Sequence, residues 1–376
     1  MTGLIALLTF AIWVWLLGFR GAFWRSGPVL ANRKPTGHAR VVAVIPARDE
    51  AEGIARCLNS LLAQDYPGPL SVVLVDDNST DGTGMIAGEI AASDPRLTVI
   101  QGAPLERGWS GKLWAVSQGL AHPTVAAADY VLLSDADIGH APGHISALVA
   151  KAEADRLDMV SEMVRLHCET FAERALIPAF IFFFQLLYPF GWASDEHNPM
   201  AAAAGGTMLV SHAALERIDG VNRIRKTLID DVALAREIKA GGHRIWLGHA
   251  EKADSLRVYD GPSDIWRMIA RTAYVQLNHS PLLLAATCLG MMLTYIAPPL
   301  LLLSGGWKAV LGALAWCMMA YAFQPTLLRY RRSPWWGFAL PLIGLFYLGA
   351  TIASALRHYG GQGGGWKNRV YPEEAA

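Results

Sequence analysis

The run Tyr130-Val131-Leu132-Leu133-Ser134-Asp135-Ala136-Asp137 is apolar until it ends in two aspartates separated by one residue. Alternate side chains of a β-strand share a face, so Asp135 and Asp137 point one way and Ala136 the other. Two carboxylates so placed repel one another unless a cation lies between them. A divalent ion such as Mg2+ takes one or two protein carboxylates and keeps its remaining positions for water and phosphate oxygens. The pair therefore points to a metal–diphosphate site.

Three other motifs supply groups that such a site needs. Val41 to Glu50 reads as an apolar strand that runs into a proline turn with acidic residues, Pro46-Ala47-Arg48-Asp49-Glu50. Leu74-Val75-Asp76-Asp77-Asn78-Ser79-Thr80-Asp81-Gly82-Thr83 is a second strand entering an acidic turn. Carboxylates at strand ends accept hydrogen bonds from a nucleoside base or from ribose hydroxyls, whereas Ser79 or Asp81 would equally serve as a helix cap. In Gly108-Trp109-Ser110-Gly111-Lys112 a lysine opens a helical pattern, and a helix N-terminus attracts phosphate. Last, Thr227-Leu228-Ile229-Asp230-Asp231 puts two acids in a first helical turn, where the helix dipole accounts comfortably for one of them.

These groups need a scaffold that delivers strand ends to one place. Strand candidates are 40–46, 71–76, 96–101, 128–134, 157–163 and 243–248, alternating with helix candidates at 50–63, 82–92, 111–122, 142–154 and 230–240. This alternation predicts a mainly parallel, three-layer α/β sheet, in which ligands bind beyond the carboxyl ends of the strands. The acidic motifs fall at those ends.

With 376 residues the chain has room for one large domain or two, and its 32 basic residues balance 32 acidic ones, which gives no footprint for nucleic acid. The excess of apolar residues is concentrated at the two ends. Residues 3–19 read as a retained membrane anchor, here taken as 1–22. Arg20, Arg25, Arg33 and Lys34 come next, a basic flank that places the central part of the chain in the cytoplasm. Stretches near 282–303, 308–328 and 336–356 each suffice to cross a bilayer, giving C-terminal spans over 281–357 and a tail over 358–376. Three crossings put Trp366-Lys367-Asn368-Arg369 outside, although Pro298-Pro299 marks a point where a span could break. A further apolar run interrupts the soluble part at about 174–192; Pro178, Gln185 and Pro189 argue against a regular span there and favour an interfacial helix, with a buried core helix as the alternative. Cys57, Cys168, Cys288 and Cys317 lack paired spacing and read as reduced packing residues.

Over about residues 38–275 the sequence resembles the family 2 glycosyltransferases of the GT-A fold, enzymes that move a sugar from a nucleotide-sugar with inversion. The resemblance makes Pro46, Ala47, Asp49, Glu50, Asp77, Lys112, Asp135 and Ala136 donor-binding residues, with Asp49 where the family has Asn. It makes Asp135 and Asp137 the ligands of Mg2+ or Mn2+ and Asp231 the general base, with Asp230 where the family has Glu. Gly205 and Gly206, in the small and flexible segment Ala201-Ala202-Ala203-Ala204-Gly205-Gly206, fall on the acceptor side. Arg271 stands for the arginine of a Gln-x-x-Arg-Trp motif that is otherwise incomplete, with Arg267 and Thr272 at the glutamine and tryptophan positions.

Within the family, Phe182 to Phe190, the Ala-rich Gly-Gly segment and Ala270-Arg271-Thr272-Ala273 are most similar to bacterial hopanoid-biosynthesis-associated glycosyltransferases. That likeness implies a UDP-sugar donor, a polycyclic lipid acceptor with a free hydroxyl, and a place at the inner membrane of a bacterium. Polyprenyl phosphate, ceramide-like and carotenoid lipids are the alternative acceptors. A membrane scaffold or sugar-nucleotide sensor without turnover is the alternative outside catalysis.

Overall fold

The computed structural model describes residues 2–361, 365–366 and 369–370. The expected position of the basic tail beyond Gly361 concerns a stretch that lies largely outside the described residues. By its internal contacts the chain divides into two units, one of Pro28–His167, Trp192–Val258 and Gly365–Ala376, the other of Met1–Gly27, Cys168–Gly191 and Tyr259–Gly364.

The first unit is built on an eight-stranded sheet of β1 (Val41–Ala47), β2 (Leu70–Asp76), β3 (Leu97–Gln101), β4 (Tyr130–Ser134), β5 (Ile138–His140), β6 (Met159–Arg165), β7 (Thr207–Ser211) and β8 (Ile245–Ser255), in the order β3-β2-β1-β4-β7-β6-β8-β5. β1 pairs parallel with β2 and β4, β2 with β3, and β6 with β8. The departure from a parallel sheet is β7, antiparallel to both β4 and β6, and β5, antiparallel to the end of β8. Neither β5 nor β7 is among the strands expected from the sequence, nor is the short helix His212–Arg217 among the helices.

Alternation along β1 explains the three layers. Val41, Ala43, Ile45 and Ala47 pack with Ile54, Leu58 and Leu61 of the helix Ala51–Leu62 and with Ile145, Leu148 and Val149 of the helix His144–Asp155. Val42 and Val44 face the other way, onto Leu113 and Val116 of the helix Gly111–Leu120 and Leu234 and Ile238 of the helix Asp230–Ala240. A strand buried on both faces reads as a continuous apolar run.

Among the described residues of the second unit, four helices are long and apolar enough to cross a membrane: Thr2–Phe19, Pro281–Ser304, Gly306–Arg329 and Pro334–Tyr359. The proline pair breaks the regular ladder of the second of these without ending it, since Met292–Ile296 is π-helical and Leu302–Ser304 is a 3-10 turn. Pro298 has no N–H for the carbonyl of Thr294 four residues before it. Trp13 Nε1 donates to that carbonyl at 2.8 Å, and Thr9 Oγ1 donates to Leu293 O at 3.0 Å. In a membrane-spanning helix such carbonyls need protein partners, since lipid offers none. The central apolar run forms the helix Phe171–Leu187, closed at its start by a capping box of Thr170 and Glu173, and a short helix Phe190–Ser194 comes after Pro189. Leu176, Ile177, Ile181 and Phe182 of the longer helix are buried.

Gly119 shows how close the layers come. A Cβ there would meet the Cγ1 of Val44 and, at 3.1 Å, the Cγ2 of Val75. Ala is ordinarily the better helix former, yet overpacking a filled core costs about 1–3 kcal/mol. Gly119→Ala should therefore lower the thermal melting midpoint in detergent; a rise would mean that the helix moves off the sheet without cost.

Candidate active site

The turns after β1 and β2 are tied to each other. Asp49 N–H donates to Ser79 Oγ at 3.0 Å, Thr80 N–H to Asp49 Oδ1 at 2.9 Å, Glu50 N–H to Thr83 Oγ1 at 2.8 Å and Ala51 N–H to Asp81 Oδ2 at 2.9 Å. Asp81 also accepts from Thr83 N–H, so it caps the starts of two helices at once. Asp49 has φ of 50°, a left-handed conformation in which Asn and Asp are enriched. Asp thus suits this backbone position as Asn would. Asp77 is fully buried, with Arg48 Nη1 3.7 Å from its Oδ2. Pro46 and Ala47 are buried at the end of β1. β4 stops at Ser134 and β5 starts at Ile138, so Asp135, Ala136 and Asp137 lie in the turn between them and not on one strand as expected; Ala136 is buried there.

Lys112 is the centre of the cluster. Its Nζ lies 2.7 Å from Asp135 Oδ1 and 2.9 Å from Asp230 Oδ2, joining the end of β4 to the first turn of the helix Asp230–Ala240. Burial alone would depress its pKa, but the two carboxylates outweigh it and hold the ammonium above its ordinary range. Asp231 Oδ2 accepts from Gly205 N–H at 2.9 Å, and its Oδ1 from Val232 N–H at 2.7 Å. Burial, followed by the charge of Asp230, pushes Asp231 up to about 7 against the lowering pull of Lys112. A carboxylate that titrates near neutrality is suited to taking up a proton in a reaction. Pro46, Lys112, Asp135, Gly205 and Asp230 line one cleft.

Asp137 has a partner that sequence reading missed. Arg257 Nε lies 2.9 Å from Asp137 Oδ2, and its Nη2 lies 3.3 Å from Glu50 Oε1. The register accounts for this. β5 runs antiparallel to β8 with Ile138 opposite Ser255, and Leu256 N–H continues the ladder to Asp137 O at 2.7 Å. The expected strand 243–248 stops short, whereas β8 continues to Ser255 through a more polar second half. The alternation of Lys252-Ala253-Asp254-Ser255-Leu256-Arg257 was the available signal.

Two cations are therefore set among five carboxylates across the site, in the order Asp231, Asp230, Lys112, Asp135, Asp137, Arg257, Glu50, and the carboxylates are in excess. Asp135 is raised by burial and, against Lys112, by the charges of Asp137 and Asp230. Unbalanced negative charge on hard oxygen donors fits Mg2+ or Mn2+. Among the described residues no group of three or more His, Cys, Asp or Glu is placed to hold a metal. Asp135 and Asp137 are the carboxylates of the cluster that could share in holding such an ion.

The expected flexible loop is instead packed. Ala201, Ala202, Ala203 and Ala204 are buried, and Ser161 Oγ and the backbone of Ala204 bond each other at 2.8 and 3.1 Å. Small side chains at these positions reflect close packing before β7 rather than freedom. Gly206 is required by space, since a Cβ there would lie 2.8 Å from Val164 Cγ1. Gly205 has no such crowding; a Cβ would make ordinary contact with Asp231 and Lys112. Arg271 belongs to the other unit, where it is exposed on the helix Pro262–Gln276, and Arg267 there pairs with Asp264.

Residues 42–218, somewhat less than half of the chain, match the family model for glycosyl transferase family 2. Over 116 residues, 31% of this chain, the sequence is 32% identical to a 4,4'-diaponeurosporenoate glycosyltransferase of Staphylococcus aureus. It is 38% identical over 61 residues, 16% of the chain, to the glycosyltransferase AglE of Haloferax volcanii. These matches span only 28% and 20% of the two relatives' lengths. The mannosyltransferase PcManGT from Pyrobaculum calidifontis, solved with GDP-Man and Mn2+, superposes with a TM-score of 0.58 at 22% identity, covering 98% of this chain and all of that one. The fold is the GT-A arrangement with apolar helices at both ends.

The raised Asp231 has a consequence for stability. The folded chain keeps this proton up to about pH 7, whereas an unfolded Asp releases it near 4, so stability falls as pH rises through that window. Asp231→Asn removes the penalty. The melting midpoint of the variant minus that of wild type should widen from pH 4 to pH 7.5, whereas a constant gap would mean that Asp231 is ionised throughout.

Proposed function

We propose that this chain is a membrane-bound, inverting glycosyltransferase that moves a sugar from a UDP-sugar to a lipid hydroxyl. The carrying observation is that Asp231, held by Gly205 N–H and raised to about 7, is coupled through Asp230 and Lys112 to Asp135. A base near neutrality thus sits beside the carboxylates that suit a metal–diphosphate. Asp231 takes the acceptor hydroxyl's proton as that oxygen attacks the anomeric carbon. Lys112 faces the diphosphate from the helix start, while Asp77, Asp49 and Glu50 with Pro46, Ala47 and Ala136 form the nucleoside side. Gly205 and Gly206 form the acceptor side. Asp135 and Asp137 would hold Mg2+ or Mn2+, which when bound neutralises charge on the departing diphosphate. Inversion results from one in-line displacement.

A lipid acceptor is supported by the apolar unit. The basic residues after the helix Thr2–Phe19 and the run Arg329-Tyr330-Arg331-Arg332 before the last span agree with a cytoplasmic catalytic domain at a bacterial inner membrane. The helix Phe171–Leu187 touches elements of that level at both ends. Arg20 donates to Leu186 O and Leu187 O at 3.1 and 3.0 Å, and Phe171 lies against Trp336 at 6.1 Å. Both contacts support a helix lying in the headgroup region. Hopanoid-type polycyclic lipid is the acceptor that the sequence likeness favours. A carotenoid is the second reading, favoured by the Staphylococcus aureus relative.

Asp231→Asn should lower turnover by about 10²–10⁴-fold while leaving UDP binding intact, measured as metal-dependent UDP release with lipid present. Unchanged turnover would remove Asp231 as the base and favour a phosphate acceptor that needs no deprotonation. Mass spectrometry of membrane lipids should show a glycolipid that vanishes in cells carrying Asp135→Ala, and its mass names sugar and acceptor. No such loss would leave a binding or sensing role. Arg257→Ala should have opposite effects on two ligands. It frees Asp137 and Glu50, so Mn2+ alone should bind more tightly; with Arg257 taken as a second cationic donor to the diphosphate beside Lys112, UDP should bind about tenfold more weakly, and calorimetry that finds both changes in one direction would count against that role.

A further inference from the structure

Behind the Asp135 turn runs a chain of buried polar side chains to which the proposed reaction gives no role. Glu162 Oε2 lies 2.7 Å from His144 Nε2, His144 Nδ1 lies 2.9 Å from His140 Nδ1, and His140 Nε2 lies 3.1 Å from Ser134 Oγ. Ser134 Oγ in turn donates to Gly206 O at 2.8 Å. All four residues are at most 3% exposed. They come from β4, β5, the first residue of the helix His144–Asp155, and β6, so the chain crosses the sheet end that carries Asp135.

Counting protons gives the chain a direction. Each link needs one hydrogen. Ser134 has a single O–H, and its short bond to the Gly206 carbonyl uses it. His140 must then donate to Ser134 through Nε2–H, which leaves His140 Nδ1 as an acceptor. His144 must donate through Nδ1–H, which leaves His144 Nε2 to accept from Glu162 if the imidazole is neutral. An ionised Glu162 facing neutral histidines leaves one link without a hydrogen. Glu162 ionised beside an imidazolium restores the count, but places a buried ion pair at the N-terminus of a helix, where a cation is disfavoured. Burial, then the charge of Lys252, lowers His144 to about 3, and burial, then His144, lowers His140.

We propose that Glu162, His144, His140 and Ser134 form one uncharged hydrogen-bond chain, polarised from a protonated Glu162 to the Gly206 carbonyl, that positions the Asp135 and Asp231 sides of the site against each other. The link is Gly205–Gly206. Gly206 O receives Ser134 Oγ and also Asp135 N–H, the latter at 3.4 Å, while Gly205 N–H holds Asp231. Glu162 and the two histidines are positioning residues; none of them touches the proposed reactants. The positioning half rests on the transferase reading, whereas the proton assignment does not.

The test uses the full chain in detergent. Infrared difference spectra of wild type and Glu162→Gln should show a protonated-carboxylic-acid carbonyl band at neutral pH that the variant lacks. Absence of that band overturns the assignment, whatever the enzyme's activity. Gln at 162 keeps an uncharged donor, so Glu162→Gln should retain the wild-type melting midpoint and Mn2+-dependent UDP affinity. Glu162→Leu should lose about tenfold in that affinity. Equal damage from the two variants would mean that the negative charge is what matters. Ser134→Ala, a change too small to threaten folding, should keep the infrared band and lower kcat about tenfold without raising the acceptor KM. Wild-type binding and turnover in Ser134→Ala would end the positioning role. Wild-type protein without transferase activity, but with the band present, would instead refute the function and leave the chain standing.

Discussion

Everything at the carboxyl end of the sheet depends on how like charges are kept together. Two unit charges about 4 Å apart interact by about 4 kcal/mol at the effective dielectric of a protein surface, so the acidic turns that converge here would push each other apart without counterions. Lys112 and Arg257 are those counterions. Lys112 joins the turn after β4 to the first turn of the helix Asp230–Ala240, and Arg257 joins the Asp137 turn to the turn after β1. The two cations come from elements far apart in sequence, and each bridges two acidic motifs rather than neutralising one.

Much of this was legible in the sequence because the central strands carry strong patterns. β1, β2 and β4 are continuous apolar runs ending in acids, and their boundaries match the structure to within two residues. The helices Ala51–Leu62, Gly111–Leu120 and Asp230–Ala240 follow turn and apolar signals in the same way. What escaped was determined by tertiary placement. β7 is preceded by four alanines and two glycines, a composition with little strand propensity, and its packing is decided by Val164 and Ser161 across the sheet. β5 has three residues, too few for a period, and exists because the end of β8 pairs with it. Arg257 could be placed beside Asp137 only by knowing that register.

The apolar unit shows the same division between local and distant information. Each stretch long and apolar enough to cross a membrane was visible by length and composition, and Pro298-Pro299 announced an irregular helix. Nothing local says which groups cover the freed carbonyls. The answer lies almost the whole chain away, in Thr9 and Trp13 of the first helix. A hydroxyl and an indole N–H on an otherwise apolar helix look like tolerated exceptions until the broken span is placed beside them. They then become the groups that satisfy the carbonyls a proline pair leaves free, as a helix in lipid would require.

The strand that was hardest to foresee is the one that connects the two halves of the site. β7 inserts antiparallel between β4 and β6, so its N-terminal approach, Gly205–Gly206, arrives beside the ends of strands running the other way. A parallel strand in that place would bring its carboxyl end, with side chains and a following helix, to the same point. The reversed strand instead brings bare backbone: the Gly205 N–H to Asp231 and the Gly206 carbonyl to Ser134 and Asp135. Val164 leaves no room for a Cβ at Gly206, so the backbone itself is the contact surface. The acids that have read as separate motifs along the sequence are held in one geometry by two peptide groups that carry no chemical signature of their own.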